Sequence, residues 1–222
     1  MAILRGAKLF ITFEGPEGSG KSTQVACAHE YLQTHGLRVV KTREPGGVPI
    51  ADQIRAVLLT ADNQGMSPMA ELFLYFASRA QHVAEKIRPA LAAGAVVLCD
   101  RFADSTWAYQ GYARGLGVEL VEQLDALATG GLRPDATLLF DLPVEIGLAR
   151  ARQRFADQAA TRREDRFERE ELAFHRKLRE GYLLLAQREP GRIRIIDANP
   201  PAEVVWEQTR AALDDIVARR SA

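Results

Sequence analysis

Cysteine is scarce: Cys27 and Cys99 are the only two in 222 residues. Two thiols far apart in a chain this long build no disulfide framework. Both are expected to be buried thiols in a reducing compartment. An excess of charge is also missing, with 29 basic residues against 29 acidic ones. That argues against a broad nucleic-acid-binding face, which usually leaves a basic surplus. The apolar runs fall well short of a membrane span. The stretch from Met1 to Lys8 carries Arg5 and Lys8 and has no apolar secretory core. The expected location is therefore cytoplasmic, with no membrane partner. No internal repeat or low-complexity linker stands out.

What is present is an ordinary globular balance, 47% hydrophobic and 26% charged. The length suits one domain with a small insertion. Short apolar runs alternate with helical patterns. Strands are expected at Lys8 to Phe13, Leu37 to Thr42, Ala95 to Cys99, Ala136 to Phe140 and Arg192 to Ile196. Helices are expected at Lys21 to His35, with Gly36 as a stop, and at Ile50 to Leu59. A long helix starts near Ser67 and Pro68, with Pro89 kinking or interrupting it. Further helices are expected at Val118 to Ala128, from Val144 to Arg154, at Leu172 to Gln187 and at Ala202 to Arg219. This order predicts an α/β fold, a five-stranded parallel sheet flanked by helices in three layers. Ligands of such sheets sit beyond the carboxyl ends of the strands.

Gly15-Pro16-Glu17-Gly18-Ser19-Gly20-Lys21-Ser22 matches G-x-x-x-x-G-K-[ST], between a strand and a helix. Its glycines let backbone N–H groups turn toward a phosphate chain at a helix N-terminus. Lys21 can reach the β- and γ-phosphates, and the Ser22 hydroxyl can ligate Mg²⁺. These residues, with Thr23, are the candidate ATP site. The motif alone separates no kinase from a GTPase or a mechanical ATPase. The guanine signature N-K-x-D occurs nowhere in the chain, which argues against a GTP switch.

The apolar run AVVLC ends on Asp100, and Arg101 follows. A carboxylate there can hold the magnesium shell opposite Ser22. An arginine there suits bidentate phosphate binding. The plainer alternative is a local Asp–Arg pair or a cap. Leu72, Tyr75, Phe76 and Arg79 share one helix face. They could stack on and hydrogen-bond a nucleobase. Equally, they could be a core stripe whose arginine pairs with a carboxylate. From Thr161 to Glu171 the chain reads TRREDRFEREE, nine of eleven residues charged, with Arg150, Arg152 and Arg154 upstream. That is either a solvated helix or a mobile lid spanning about 150–170 that brings an arginine to the transferring phosphoryl group.

Four segments together resemble the bacterial thymidylate kinase family along essentially the whole chain: FEGPEGSGKSTQ, then TREPGG (Thr42 to Gly47), DRFADSTWAYQGYARG (Asp100 to Gly115) and IDANP (Ile196 to Pro200). The resemblance implies a P-loop kinase that moves the γ-phosphoryl group of Mg·ATP onto dTMP, commonly as a homodimer. Arg43, Glu44 and Pro45 would border the acceptor. Arg55 and Arg101 would hold its phosphate. Tyr75 and Arg79 would read the thymine, at a stacking position usually held by Phe and with Phe76 next door. Ser105, Thr106 and Gln110 would line base and sugar. Tyr109 would crowd the 2′ position, and Ala198 to Pro200 would lie near the adenine. Gly18 stands where some members carry an arginine, so the chain is similar to members whose catalytic arginine lies in the lid. Arg154 is the first candidate and Arg166 the second, beside Lys21 and Arg101. Ser22 and Asp100 are the expected metal-side residues. Rival readings are another monophosphate kinase on the same fold, or a nucleotide-binding ATPase with no small acceptor.

Overall fold

The structure, a computed structural model, describes residues 8–63, 65–157 and 170–221. Five strands, β1 (Leu9–Glu14), β2 (Val39–Arg43), β3 (Val96–Asp100), β4 (Ala136–Asp141) and β5 (Ile193–Asp197), form one sheet in the order β2-β3-β1-β4-β5. Every neighbouring pair is parallel. Central β1 is buried throughout, which is why it reads as continuous apolar sequence.

Alternate residues of the strands serve two cores. Leu9, Ile11, Phe13, Val96, Leu98, Leu138 and Phe140 pack with α1 (Lys21–Thr34) and α9 (Ala202–Ser221). On the other face Phe10, Val97 and Cys99 meet Val83, Ile87, Leu91 and Phe102. That face also carries α2 (Pro49–Leu59), α3 (Pro68–His82), α6 (Val118–Thr129) and α8 (Leu172–Arg188) around Leu72, Tyr109, Leu139 and Tyr182.

The end signals act as expected at two places. Gly36 (φ 79°) closes α1, its N–H donating to Gln33 O at 2.9 Å and that of Leu37 to Leu32 O at 3.2 Å. Ser67 caps α3 by accepting from Ala70 N at 3.2 Å. The expected break at Pro89 comes earlier. Pro89 has no N–H for the Glu85 carbonyl. The chain slips into a π turn over Val83–Ile87, where Arg88 N–H reaches Val83 O, before α4 (Arg88–Ala92). A second departure is an element the sequence did not suggest. α5 (Ala103–Thr106) runs into a π-helical stretch, Trp107–Ala113, whose spacing fits neither the helical nor the strand period. The two thiols are free, but only Cys99 is buried. Cys27 is half-buried, at the margin of the α1 face formed by Gln24, Val25, Ala28 and Leu32. α7 (Val144–Asp157) and α8 flank the expected lid. Most of that lid, Arg166 included, and the side chain of Arg154 lie outside the described residues.

Candidate active site

The last residues of the five strands are Glu14, Arg43, Asp100, Asp141 and Asp197. One edge of the sheet is therefore charged, and the motifs gather there.

Gly15 to Gly20 loop from β1 into α1, and Lys21 opens the helix. Gly18 has φ 71°, and a Cβ on it would lie 2.0 Å from the carbonyl oxygen of Gly147 on α7. The tip of the loop thus rests on α7, the helix that precedes the expected lid. Lys21 is 7% exposed. Its ammonium donates to Pro16 O at 2.7 Å and Ser19 Oγ at 3.0 Å. Burial first, and then the Arg101 guanidinium, bring it down to about 7 from the usual lysine range. The Ser22 hydroxyl donates to Asp100 Oδ2 at 2.6 Å. Thr23 is exposed one position on.

Arg101 follows Asp100 in a left-handed conformation, φ 69°. Such a conformation is uncommon outside glycine and here turns the side chain back over the phosphate loop. Nη1 donates to Gly15 O at 3.0 Å, Ser105 Oγ at 3.1 Å and Tyr182 OH at 3.1 Å. Nη2 donates to Glu17 Oε1 at 3.1 Å, and the guanidinium lies 5.3 Å from the centre of the Tyr109 ring. The Tyr109 hydroxyl also donates to Glu17 Oε1. Burial acts to raise the Glu17 carboxyl, but Arg101 and Lys21 outweigh it and hold it below its ordinary value. Behind this layer lies Glu14, fully buried. It accepts from Phe102 N at 2.6 Å and Ser105 Oγ at 2.5 Å. Burial, then the Asp104 carboxylate, push it up to about 7.

The TREPGG segment leaves β2 beside this turn, with Glu44 N–H donating to Asp100 O at 2.9 Å. The Glu44–Pro45 peptide is cis. Arg55 Nη1 donates to Pro45 O at 3.0 Å. Arg43 faces outward and pairs with Asp52 at 3.0 Å. Glu44 turns inward, where Oε2 accepts from Arg79 Nε at 2.8 Å and Oε1 meets His82 Nδ1 at 2.9 Å.

Arg79 is 1% exposed. It also donates to Asp125 at 3.0 Å and Thr106 Oγ1 at 2.8 Å. The stripe on α3 therefore contains an arginine paired with carboxylates, the core arrangement weighed from its spacing. Phe76 is buried against it at 5.4 Å, and Tyr75 is half-buried. Gln110 is buried and donates to Glu71 Oε1 at 2.8 Å. Across the site, Ala198 donates its N–H to Asp141 O at 2.8 Å, and Arg150 holds the carbonyls of Ala198 and Asn199, each at 2.8 Å.

A family model described as thymidylate kinase matches residues 13–209. The chain belongs to the thymidylate kinase family. A relative named thymidylate kinase from Trichlorobacter lovleyi is 57% identical over 215 residues, covering 96% of this chain and 99% of that protein. One from Geobacter sulfurreducens is 56% identical over 211 residues, covering 95% and 97%. A crystal structure of thymidylate kinase from Ehrlichia chaffeensis superposes with a TM-score of 0.72 at 33% identity, covering 92% of this chain and 98% of that one.

For a member of the thymidylate kinase family, the arrangement groups its predicted residues in two clusters joined by Arg101. One holds Gly15 to Ser22 and Asp100. The other holds Glu44, Pro45, Arg55, Arg79, Ser105, Thr106, Tyr109 and Gln110. Arg43 is turned away from both. Sequence reasoning missed Glu14, His82, Asp125 and Tyr182. Glu14 carries the signal used for Asp100, a carboxylate ending an apolar strand. His82, three residues after Arg79 on α3, continues the helical stripe already noted; Asp125 and Tyr182 reach the site only through packing of distant elements.

Proposed function

We propose that the chain transfers the γ-phosphoryl group of ATP to dTMP, giving dTDP and ADP and so supplying dTTP for DNA synthesis. The carrying observation is Arg101, which bridges the phosphate loop at Gly15 O and the acceptor-side residues Ser105 and Tyr182. A guanidinium there can neutralise charge on both sides of an in-line transfer.

The backbone N–H groups of Gly15 to Ser22 would cradle the phosphates of ATP, with Thr23 beside them. The Lys21 ammonium, now spending its donors on Pro16 and Ser19, would turn to the β- and γ-oxygens. Ala198 would border the adenine from a loop that Arg150 holds in place. Arg55 and Arg101 would bind the acceptor phosphate. Glu44 and Pro45 would shape that pocket, and Arg43 would border the acceptor only by leaving Asp52, its partner at 3.0 Å. Arg79 would donate to a thymine carbonyl with an N–H that its three bonds do not use, beside Tyr75. Ser105, Thr106 and Gln110 would line base and sugar. Tyr109, held by Glu17, would crowd a ribose 2′-hydroxyl. An acceptor phosphate is largely dianionic near neutral pH, so no general base is required. Arg154 at the end of α7 is the arginine assigned to the transferring group, with 150–170 as a lid on a single kinase domain.

Mg²⁺ fits the donors present. Ser22 Oγ and Asp100 Oδ2, 2.6 Å apart, form a small all-oxygen pair that leaves the remaining positions to phosphate oxygens and water. When bound, the ion would supply charge neutralisation on the β- and γ-phosphates. A homodimer belongs to the same proposal. Ile50, Val57, Met69, Phe73 and Leu127 are exposed apolar residues on α2, α3 and α6, an area that a second copy would cover. A cytoplasmic site of action rests on the two free thiols.

The test is ADP release with ATP, Mg²⁺ and each of dTMP, dUMP, dCMP, dGMP, UMP, CMP, GMP and AMP. Turnover strongest with dTMP and weak with every ribonucleotide is expected. Release indifferent to the acceptor would sink the kinase reading. Strong turnover with a different monophosphate would discard the thymine site alone.

A further inference from the structure

Tyr182 sits on α8, the helix that follows the lid segment, and is 2% exposed. Its ring packs edge-on to that of Tyr109, with centroids 6.4 Å apart. Its hydroxyl touches three groups: Arg101 Nη1 at 3.1 Å, Ser105 Oγ at 2.8 Å and Glu14 Oε2 at 3.3 Å. The proton order in this cluster follows from donor inventory. A guanidinium only donates, so the Tyr182 oxygen accepts from Arg101. Ser105 spends its single proton on Glu14 at 2.5 Å. The Tyr182 proton is left for Ser105 Oγ at 2.8 Å or Glu14 Oε2 at 3.3 Å. By either route the bonds run from Arg101 through Tyr182 to Glu14, with a cation at one end and a carboxyl at the other. Each bond polarises the next.

We infer that Tyr182 is a positioning residue for Arg101, its hydroxyl fixing where the guanidinium meets the acceptor's phosphate. The inference rests on the acceptor role proposed above for Arg101. Two opposed anchors make the position specific. Glu17 draws Nη2 toward the phosphate loop, while Tyr182 and Ser105 hold Nη1 on the acceptor side. Without the hydroxyl, Glu17 and Gly15 O are the stronger remaining anchors, and the guanidinium shifts away from the acceptor. Burial keeps the Tyr182 hydroxyl well above its ordinary value, so it stays a donor at working pH. Glu14 lies one residue before Gly15. The chain thus references Arg101 to the strand that carries the phosphate loop and to the helix behind the lid.

Tyr182→Phe removes this oxygen and keeps the ring. The expected result is a dissociation constant for dTMP, measured by calorimetry, about tenfold weaker, with the KM for ATP unchanged. In an Arg101→Ala background the same change should leave dTMP affinity where Arg101→Ala alone put it. A purely structural role would weaken both backgrounds by the same factor. Unchanged dTMP affinity in Tyr182→Phe, or an equal further loss in the Arg101→Ala background, overturns the inference. These outcomes are separate from failure of the kinase reading, which shows in the unmodified protein as no dTMP binding and no acceptor-dependent ADP release, and which takes the inference down with it.

Discussion

Replacing Lys21 with methionine keeps an unbranched side chain of similar length and removes the charge. Lys21 is 7% exposed and its ammonium is brought from 10.5 to about 7. At about 1.36 kcal/mol per pH unit, that withholds on the order of 4 kcal/mol from the folded, charged form. Methionine forfeits the bonds to Pro16 O and Ser19 Oγ, roughly 1 kcal/mol each. The variant without nucleotide should therefore be more stable at pH 7 by about 2 kcal/mol. For a chain of this length that raises Tm by about 5 °C. Its acceptor-dependent ADP release should fall by about 10³-fold, because a buried charge-stabilising contact is lost in the transition state. The sign with pH follows from linkage. The folded value lies below the unfolded one, so the penalty is fully present below about pH 7. It fades as pH rises toward the unfolded lysine value of about 10.4. Thermal unfolding from pH 6 to 10, in the absence of nucleotide, is the assay. A methionine variant no more stable than the parent at pH 7, or an advantage that grows with pH, would show that burial of the Lys21 charge does not destabilise the fold.

Gly147→Ala places a Cβ 2.6 Å from the carbonyl oxygen of Glu17. It should weaken ATP binding tenfold or more by calorimetry although no charge or donor is lost; unchanged affinity would show that the loop tip yields freely. Arg79→Met leaves Glu44 and Asp125 facing each other without their cation, which should cost about 3–5 kcal/mol in urea unfolding. A loss under 1 kcal/mol would mean that water or a neighbour takes over the pairing. Glu14→Gln removes a carboxyl held at about 7, above its ordinary 4.5. The parent binds more protons folded than unfolded between those values, so its stability falls as pH rises from about 4.5 to 7. The glutamine variant should show a flatter stability profile across that window, and an unaltered slope would assign the dependence to another group.

The parallel sheet was legible because its inner strands β1, β3 and β4 are buried on both faces and read as short apolar runs such as AVVLC. The phosphate loop was legible because its chemistry is local, nine consecutive residues from Gly15 to Thr23. Arg79 shows where local reading stops. Its spacing placed it on a face with Leu72, Tyr75 and Phe76, but the carboxylates that hold it come from β2's end and from α6, Glu44 and Asp125. No pattern within one element encodes that meeting. The stretch Ala103–Ala113 escaped for a different reason. It starts at Phe102 without a side-chain cap and continues in π geometry, so the usual helical period is lost. Pro89 did signal a break, but the adjustment fell upstream of the ring.

The charged strand ends carry one more consequence. Phe13 and Arg43 both pair with Asp100, and Asp141 pairs with Asp197. A slip of β1 or β3 by a single residue would exchange side chains between the two sheet faces, which hold different neighbours, and would carry Asp100 out of line with Phe13 and Arg43. The charged strand ends thus act as alignment marks for the sheet, and a drift that blunts them would loosen strand order.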